Sequence, residues 1–302
     1  MAKILKFAAL AWISAITFIG CSQSVEEKNK KEKLIIAMSA TAEAERSFER
    51  IEAVSEYLSK KLDMEVTHKL ISNPSALIEA MRANKIHLGS GGPFTYLVAS
   101  KVANAVPIVT SEDVNEGSIF RSCIITQADA TINTMDELKA QSKNLTLSWA
   151  YPTSCSGHLV PRYVMQEEYN LLPGDFKEVM ISTNHTSAIF TVISGKVDVA
   201  ATYYSGLQRL IREGRVNENE IKYLWMSEPM VSSPIFARQD LGEDLIRKIK
   251  DAYLDMKEDD PETWALIQNQ YISDIKYVDV NDSDYQYYRD MANKVKGFDV
   301  KY

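Results

Sequence analysis

The chain has 302 residues, enough to bury one large core or two medium ones. It carries a net charge of −7 with no basic patch interleaved with aromatics, which argues against a nucleic-acid partner. Its four histidines, His68, His87, His158 and His185, lack metal-ligand spacing, and no motif calls for a cofactor.

At the N-terminus, Lys3 and Lys6 precede an apolar run from Phe7 to Ile19 that is short for a bilayer span. The run closes on Phe18-Ile19-Gly20-Cys21. This is similar to the cleavage and acylation signal of bacterial lipoproteins, with Phe18 and Ile19 departing from its commonest residues. Residues 1–20 are therefore expected to be a leader cleaved before Cys21, whose lipidated thiol ties the protein to a membrane on its extracytoplasmic side. An uncleaved anchor or an ordinary secretory signal is the alternative. Residues 21–32 are polar and charged and read as a tether. Losing the two leader lysines takes the net charge to −9, so any bound anion must be held by local donors. Cys123 and Cys155 then remain. An exported location permits a disulfide between them, and two free, partly buried thiols are the other reading.

From Leu34 onward, short apolar runs alternate with segments of helical period. Strands are expected at 34–38, 66–70, 86–88 and 105–109, and helices at 42–62, 75–83 and 94–102. In the first helix Phe48, Ile51, Val54, Leu58 and Leu62 recur at threes and fours. A second block follows with strands at 119–126, 145–150, 179–181 and 197–201 and helices at 135–140, 159–168 and 185–194, closing near 223–226. The tail reads as helix at 245–256, 261–270 and 284–295. Two blocks of alternating strand and helix predict an α/β fold of two lobes with mostly parallel sheets.

Three loops at the carboxyl ends of expected strands combine small hydroxyl residues or glycine with a helix start, where open α/β sheets bind ligands. They are Gly89-Ser90-Gly91-Gly92-Pro93-Phe94-Thr95-Tyr96, Ser154-Cys155-Ser156-Gly157, and Ser182-Thr183-Asn184-His185-Thr186-Ser187. The serine loop is the most informative. Free N–H groups of a helix first turn, the hydroxyls of Ser154 and Ser156, and close backbone approach at Gly157 suit a small oxyanion. A plain N-cap is the bland alternative. His185 is either a donor beside the anion or a capping histidine. Asp198 is either an acceptor for a protonated ligand group or a turn residue. A Cys155 nucleophile served by His158 or His185 has no supporting motif.

In their order and spacing, several segments resemble the periplasmic substrate-binding proteins of phosphonate, phosphite and phosphate ABC transporters. They are Gly92-Pro93-Phe94-Thr95-Tyr96-Leu97, Ser154-Cys155-Ser156-Gly157 with Pro161, and His185-Thr186-Ser187-Ala188, followed by Gly195-Lys196-Val197-Asp198-Val199, Trp225-Met226-Ser227 with Pro234, and Asp284-Tyr285. The resemblance covers about 34–288. It implies a type II periplasmic binding protein fold of two α/β lobes joined by two hinge strands, with the ligand cleft between them. Lobe 1 would take 33–121 plus 231–302 and lobe 2 would take 122–230. It implies that Ser154, Cys155 and Ser156 hold the phosphorus oxygens, that Tyr96 contributes from the opposite lobe, and that His185 lies beside the anion. The protein would be a monomer without catalysis or cofactor, delivering its anion to an ABC permease. A ligand-presenting receptor for a membrane sensor, or a receptor for another small oxyanion, are the alternatives. There are departures from the family pattern. Cys155 stands in place of a threonine, a weak thiol donor for a hydroxyl. His158 is unusually bulky after the glycine, and Thr186 and His87 stand where acidic residues are common.

Overall fold

Aliphatic runs bounded by polar turns form the strands of this protein, and the amphipathic segments between them form helices that cover the sheets. The computed structural model describes residues 33–39, 44–118 and 120–298. The expected leader, Cys21 and the tether lie outside the described residues. The first half runs β1 (Lys33–Ser39), α1 (Ala44–Leu62), β2 (Glu65–Ile71), α2 (Pro74–Arg82), β3 (Leu88–Ser90), α3 (Pro93–Ala103) and β4 (Ala105–Asp113). It continues with β5 (Ser122–Gln127), α4 (Met135–Gln141), β6 (Thr146–Trp149), a π-helical turn (Cys155–Leu159) leading into α5 (Val160–Tyr169), β7 (Glu178–Ile181), α6 (His185–Ile193), β8 (Val199–Tyr203), α7 (Tyr204–Arg212) and β9 (Ile221–Met226). The last part contains β10 (Pro234–Arg238), α8 (Glu243–Asp259), α9 (Pro261–Gln268), β11 (Ile275–Asp279) and α10 (Gln286–Lys294).

Two sheets result, ordered β11-β4-β10-β3-β1-β2 and β7-β6-β8-β5-β9. β1 is parallel to β2 and β3, and β6 is parallel to β7 and β8. Each sheet admits an antiparallel strand in its interior: β10 lies between β3 and β4, and β5 lies between β8 and β9, while β11 adds a further antiparallel strand at the β4 edge of the first sheet. The two lobes thus repeat one topology, and parallel neighbours joined through a helix explain why the strands read as continuous apolar runs. Two passages cross between the sheets, one through 114–118 and 120–121 and the other through 227–233. They pair with each other at Phe120 and Met230, and Arg121 Nη1 donates to Ser227 O at 2.8 Å.

Apolar periodicity accounts for most of the packing. Ile51, Val54 and Leu58 place one face of α1 on the first sheet, against Leu34, Ile36 and the helices α8 and α9. The second sheet is covered on both faces, by Leu138 and Met165 on one and by Ile189 and Val192 on the other. A further core joins the lobes: Phe94 and Leu97 of α3 pack with Leu159 and Val160 and with Tyr285, Tyr288 and Met291 of the C-terminal segment. Helix α10 therefore touches both lobes. It is tied to α5 by Gln166, whose Nε2 donates to Lys294 O at 3.0 Å and whose Oε1 accepts from Lys296 N at 2.8 Å.

The three helices expected in the tail are present as α8, α9 and α10, but β10 before them, β11 between α9 and α10, and α7 were not foreseen. β10 is short and begins at Pro234, so its strand signal is weak, yet Phe236 and Ala237 are fully buried at the centre of a sheet. Leu207 and Leu210 bury one face of α7, but Gly206 in its first turn weakens the helical pattern.

Candidate functional site

The carboxyl ends of both sheets open on one cleft of about 840 Å³. From lobe 1 it is lined by Ser39 at the end of β1, by Ser72 to Ser75 before and within the first turn of α2, and by Ser90 to Gly92 before α3. From lobe 2 it is lined by Tyr151, Pro152 and Ser154 to Ser156, by Ser182 to Thr186, and by Tyr203, Ser205 and Arg209 at α7. Phe120, Ser232 and Ser233 come from the two crossing passages. The N-terminal ends of α2, α3, the π-helical turn, α6 and α7 face this space. Their unpaired N–H groups supply partial positive charge without a formal charge.

The serine loop shows how the wall is built. β6 ends at Trp149, the chain turns through Tyr151 to Thr153, and Ser154 caps the next helix: its Oγ accepts from Gly157 N at 2.9 Å. The same oxygen lies 3.2 Å from His185 Nε2, and His185 Nδ1 lies 3.1 Å from Thr202 Oγ1. Burial pulls the His185 pKa down to about 3, so the ring is neutral and one nitrogen donates while the other accepts. Gly157 is needed for packing, not for ligand approach: a Cβ there would stand 2.5 Å from Ala150 Cβ and 2.8 Å from His185 Cε1. Ser156 is anchored by its backbone, its carbonyl accepting from Ser122 Oγ at 2.7 Å, while its residue lines the cleft.

Of the residues singled out in the sequence, Ser154, Cys155, Ser156 and His185 share this cleft, while Tyr96 and Asp198 are not among its lining residues. Tyr96 is fully buried. Its hydroxyl donates to Asp282, and its ring packs on Phe236 and Tyr285. The tyrosines on the cleft wall are Tyr151, Tyr203 and Tyr271. Asp198 is an exposed turn residue, its Oδ2 accepting from Thr146 N at 2.7 Å and Thr146 Oγ1 at 2.6 Å. A disulfide between Cys123 and Cys155 is also corrected. Both thiols are free, because Cys123 packs in the core under α6 and Cys155 in the core between the lobes. Cys155 is 2% exposed, with its sulfur beside Phe94 N–H and the Tyr288 hydroxyl. Burial raises its pKa well above the ordinary thiol value, which keeps it protonated and a poor nucleophile.

His158 and His87 have structural partners. His158 Nδ1 lies 3.1 Å from Pro152 O, the ring packs between Trp149 and Phe298, and burial lowers its pKa to about 4. His87 Nδ1 accepts from Ile35 N at 2.9 Å. The loop at 89–92, singled out in the sequence, does line the cleft through Ser90 to Gly92, whereas sequence reading missed Ser39, Ser72, Ser75, the crossing serines and Arg209. Arg209 sits four residues after Ser205 on α7, so its signal was available once that helix was recognised.

Residues 36–285 match the family described as ABC transporter, phosphonate, periplasmic substrate-binding protein. The phosphonates-binding periplasmic protein of Escherichia coli (strain K12) is 28% identical over 197 residues, which cover 65% of this chain and 58% of that protein, less than two thirds of its length. A binding-protein component of an ABC phosphonate transporter from Pseudomonas aeruginosa has a solved structure that superposes with a TM-score of 0.76 at 21% identity, covering 86% of this chain and 85% of that one. A binding protein from Prochlorococcus marinus (MIT 9301), solved with methylphosphonate, superposes with a TM-score of 0.72 at 20% identity over 87% of this chain and 97% of that one. These likenesses, with the repeated sheet topology and the two crossing passages, identify a type II periplasmic binding protein fold. The chain belongs to the family of periplasmic substrate-binding proteins of ABC phosphonate transporters.

Proposed function

We propose that this protein is a lipid-anchored extracytoplasmic receptor that captures a small phosphorus oxyanion (a phosphonate, phosphite or phosphate) in the cleft and delivers it to an ABC permease without altering it. The observation that carries this reading is the convergence of helix N-termini and serine hydroxyls on one cleft of an acidic protein. Neutral donors, oriented in advance and screened from water, bind an oxyanion without needing a favourable global field. Ser156 is the clearest side-chain donor, because Ser154 already serves Gly157 and His185. In isothermal titration calorimetry with methylphosphonate, phosphite and phosphate, Ser156→Ala is expected to weaken the best of them by about tenfold or more, as a buried anion oxygen loses a partner. Unchanged affinity in that variant would remove Ser156 from the site. Delivery follows from closure of the lobes on the anion, which favours the closed form by differential affinity.

Anchoring rests on Cys21 and the apolar run before it. Intact expressed protein is expected in the membrane fraction, with Cys21→Ser released to the soluble fraction. Equal partition of the two would count against acylation.

A further inference from the structure

The serine loop opens directly onto aromatic rings. His185, whose Nε2 lies 3.2 Å from Ser154 Oγ, belongs to a contiguous row of them. Tyr151 meets the His185 ring edge to face at 5.4 Å between centroids, Tyr203 meets it at 4.6 Å, and Phe120 lies 6.4 Å from Tyr203. All four residues line the cleft. Tyr203 and Phe120 are only partly buried, so ring surface remains open to a ligand. A group attached to phosphorus at the Cys155 turn therefore has Tyr203, and then Phe120, beside it. The space suits an organic group too. At about 840 Å³ the cleft has the size that holds a drug-sized molecule, and an inorganic phosphate fills a small part of it. The lobes already touch beside the serine loop, where Thr95 Oγ1 donates to Thr153 O at 3.3 Å, and beside α7, where Arg212 Nη1 donates to Tyr271 O at 2.9 Å. These contacts limit how far closure can shrink the space.

Resting on the phosphorus-oxyanion reading above, we infer that the cleft takes organophosphonates with a flat apolar substituent, an aryl group above all, which packs on Tyr203 and Phe120 while the head group stays at the Cys155 turn. A ring leaving water for this surface adds affinity through the apolar area it buries and through ring-on-ring contact. Phosphate and phosphite leave the same surface wet. Phe120 sets the choice, because it closes the far end of the row. It stands on a crossing passage, paired with Met230, so a substituent against it also touches the segment about which the lobes move.

Phenylphosphonate and methylphosphonate test the inference, since they share a head group and differ in a ring against a methyl. Calorimetry at pH 8 on the mature chain is expected to show phenylphosphonate binding at least about tenfold more tightly than methylphosphonate. In Phe120→Ala the ratio of the two affinities is expected to fall at least about threefold, a comparison from which any common effect on the lobes cancels. Phe120→Leu, which keeps apolar bulk and loses the ring, takes its place with the same direction if the alanine variant does not fold. Equal or tighter binding of methylphosphonate by the unaltered protein overturns the inference, and so does a ratio that the Phe120 variant leaves unchanged. If phenylphosphonate, methylphosphonate, phosphite and phosphate all fail to bind, the phosphorus-oxyanion reading itself falls and takes this inference with it.

Discussion

At the scale of single residues, burial keeps the histidines in and behind the cleft wall uncharged. His185 is held between Ser154 and Thr202, and His158 between Pro152 O and two aromatic rings. Burial lowers their pKa values to about 3 and about 4 respectively. In the unfolded chain both rings take up protons below about pH 6.5. The unfolded state then binds more protons, so stability held above pH 6.5 is lost as pH falls toward those lower values. Urea unfolding at pH 7.0 and pH 4.5 is expected to show a loss in the wild type that His185→Gln reduces by on the order of 2 kcal/mol. An identical loss in the variant would mean that the ring is not held neutral. The thiol of Cys155 belongs to the same pattern. It packs between the lobes and contributes no charge.

At the scale of elements, each wall segment is a strand end followed by a helix start, and close packing sets their positions. Gly157 lets the π-helical turn lie against Ala150 and His185. Gly157→Ala is expected to destabilise the fold by roughly 1–3 kcal/mol and to weaken ligand binding, because His185 must move. Gly174→Ala, with nothing within 4 Å of the added methyl, is expected to stay near the wild type. Equal melting temperatures for both variants would contradict this. The same elements show what could be read beforehand. β1, α1, β6 and α6 were legible because their apolar residues recur at the period of the structure they adopt, and the loops after β6 and β7 because hydroxyl residues, glycine or asparagine cluster at a helix start. Ser39, Ser232 and Ser233 were not legible, since a serine at a strand end or on a crossing passage carries no pattern until the sheets bring it to the cleft. Tyr96 was misjudged because helical phase does not reveal a hydroxyl bonded to an aspartate 186 positions further along the chain.

At the scale of the whole molecule, the described residues bring the two lobes together at several places besides the packing of α3 on the Cys155 turn. The crossing passages pair at Phe120 and Met230, α10 packs on both lobes, and the ends of α7 and α9 meet beside the cleft. At this last contact Arg212 Nη1 donates to Tyr271 O at 2.9 Å and Nη2 to Asn269 O at 3.4 Å, and Arg46 pairs with Glu213 at 3.0 Å. Asn269 caps the C-terminus of α9, so its carbonyl end attracts the guanidinium. Being exposed, the contact is a weak latch. Arg212→Ala is expected to speed ligand release about two- to fivefold in stopped-flow displacement while leaving association unchanged. An unchanged release rate would show that the contact does not hold the lobes together. The binding expectations depend on a phosphorus oxyanion lying between the serine loop and the lobe 1 wall. A crystal structure of the mature protein with methylphosphonate tests this most directly. The expected result is a closed cleft with phosphonate oxygens about 2.7–3.0 Å from Ser156 Oγ and from the first N–H groups of the Cys155 turn. A phosphonate bound away from that turn, or an empty cleft at saturating ligand, would contradict the account.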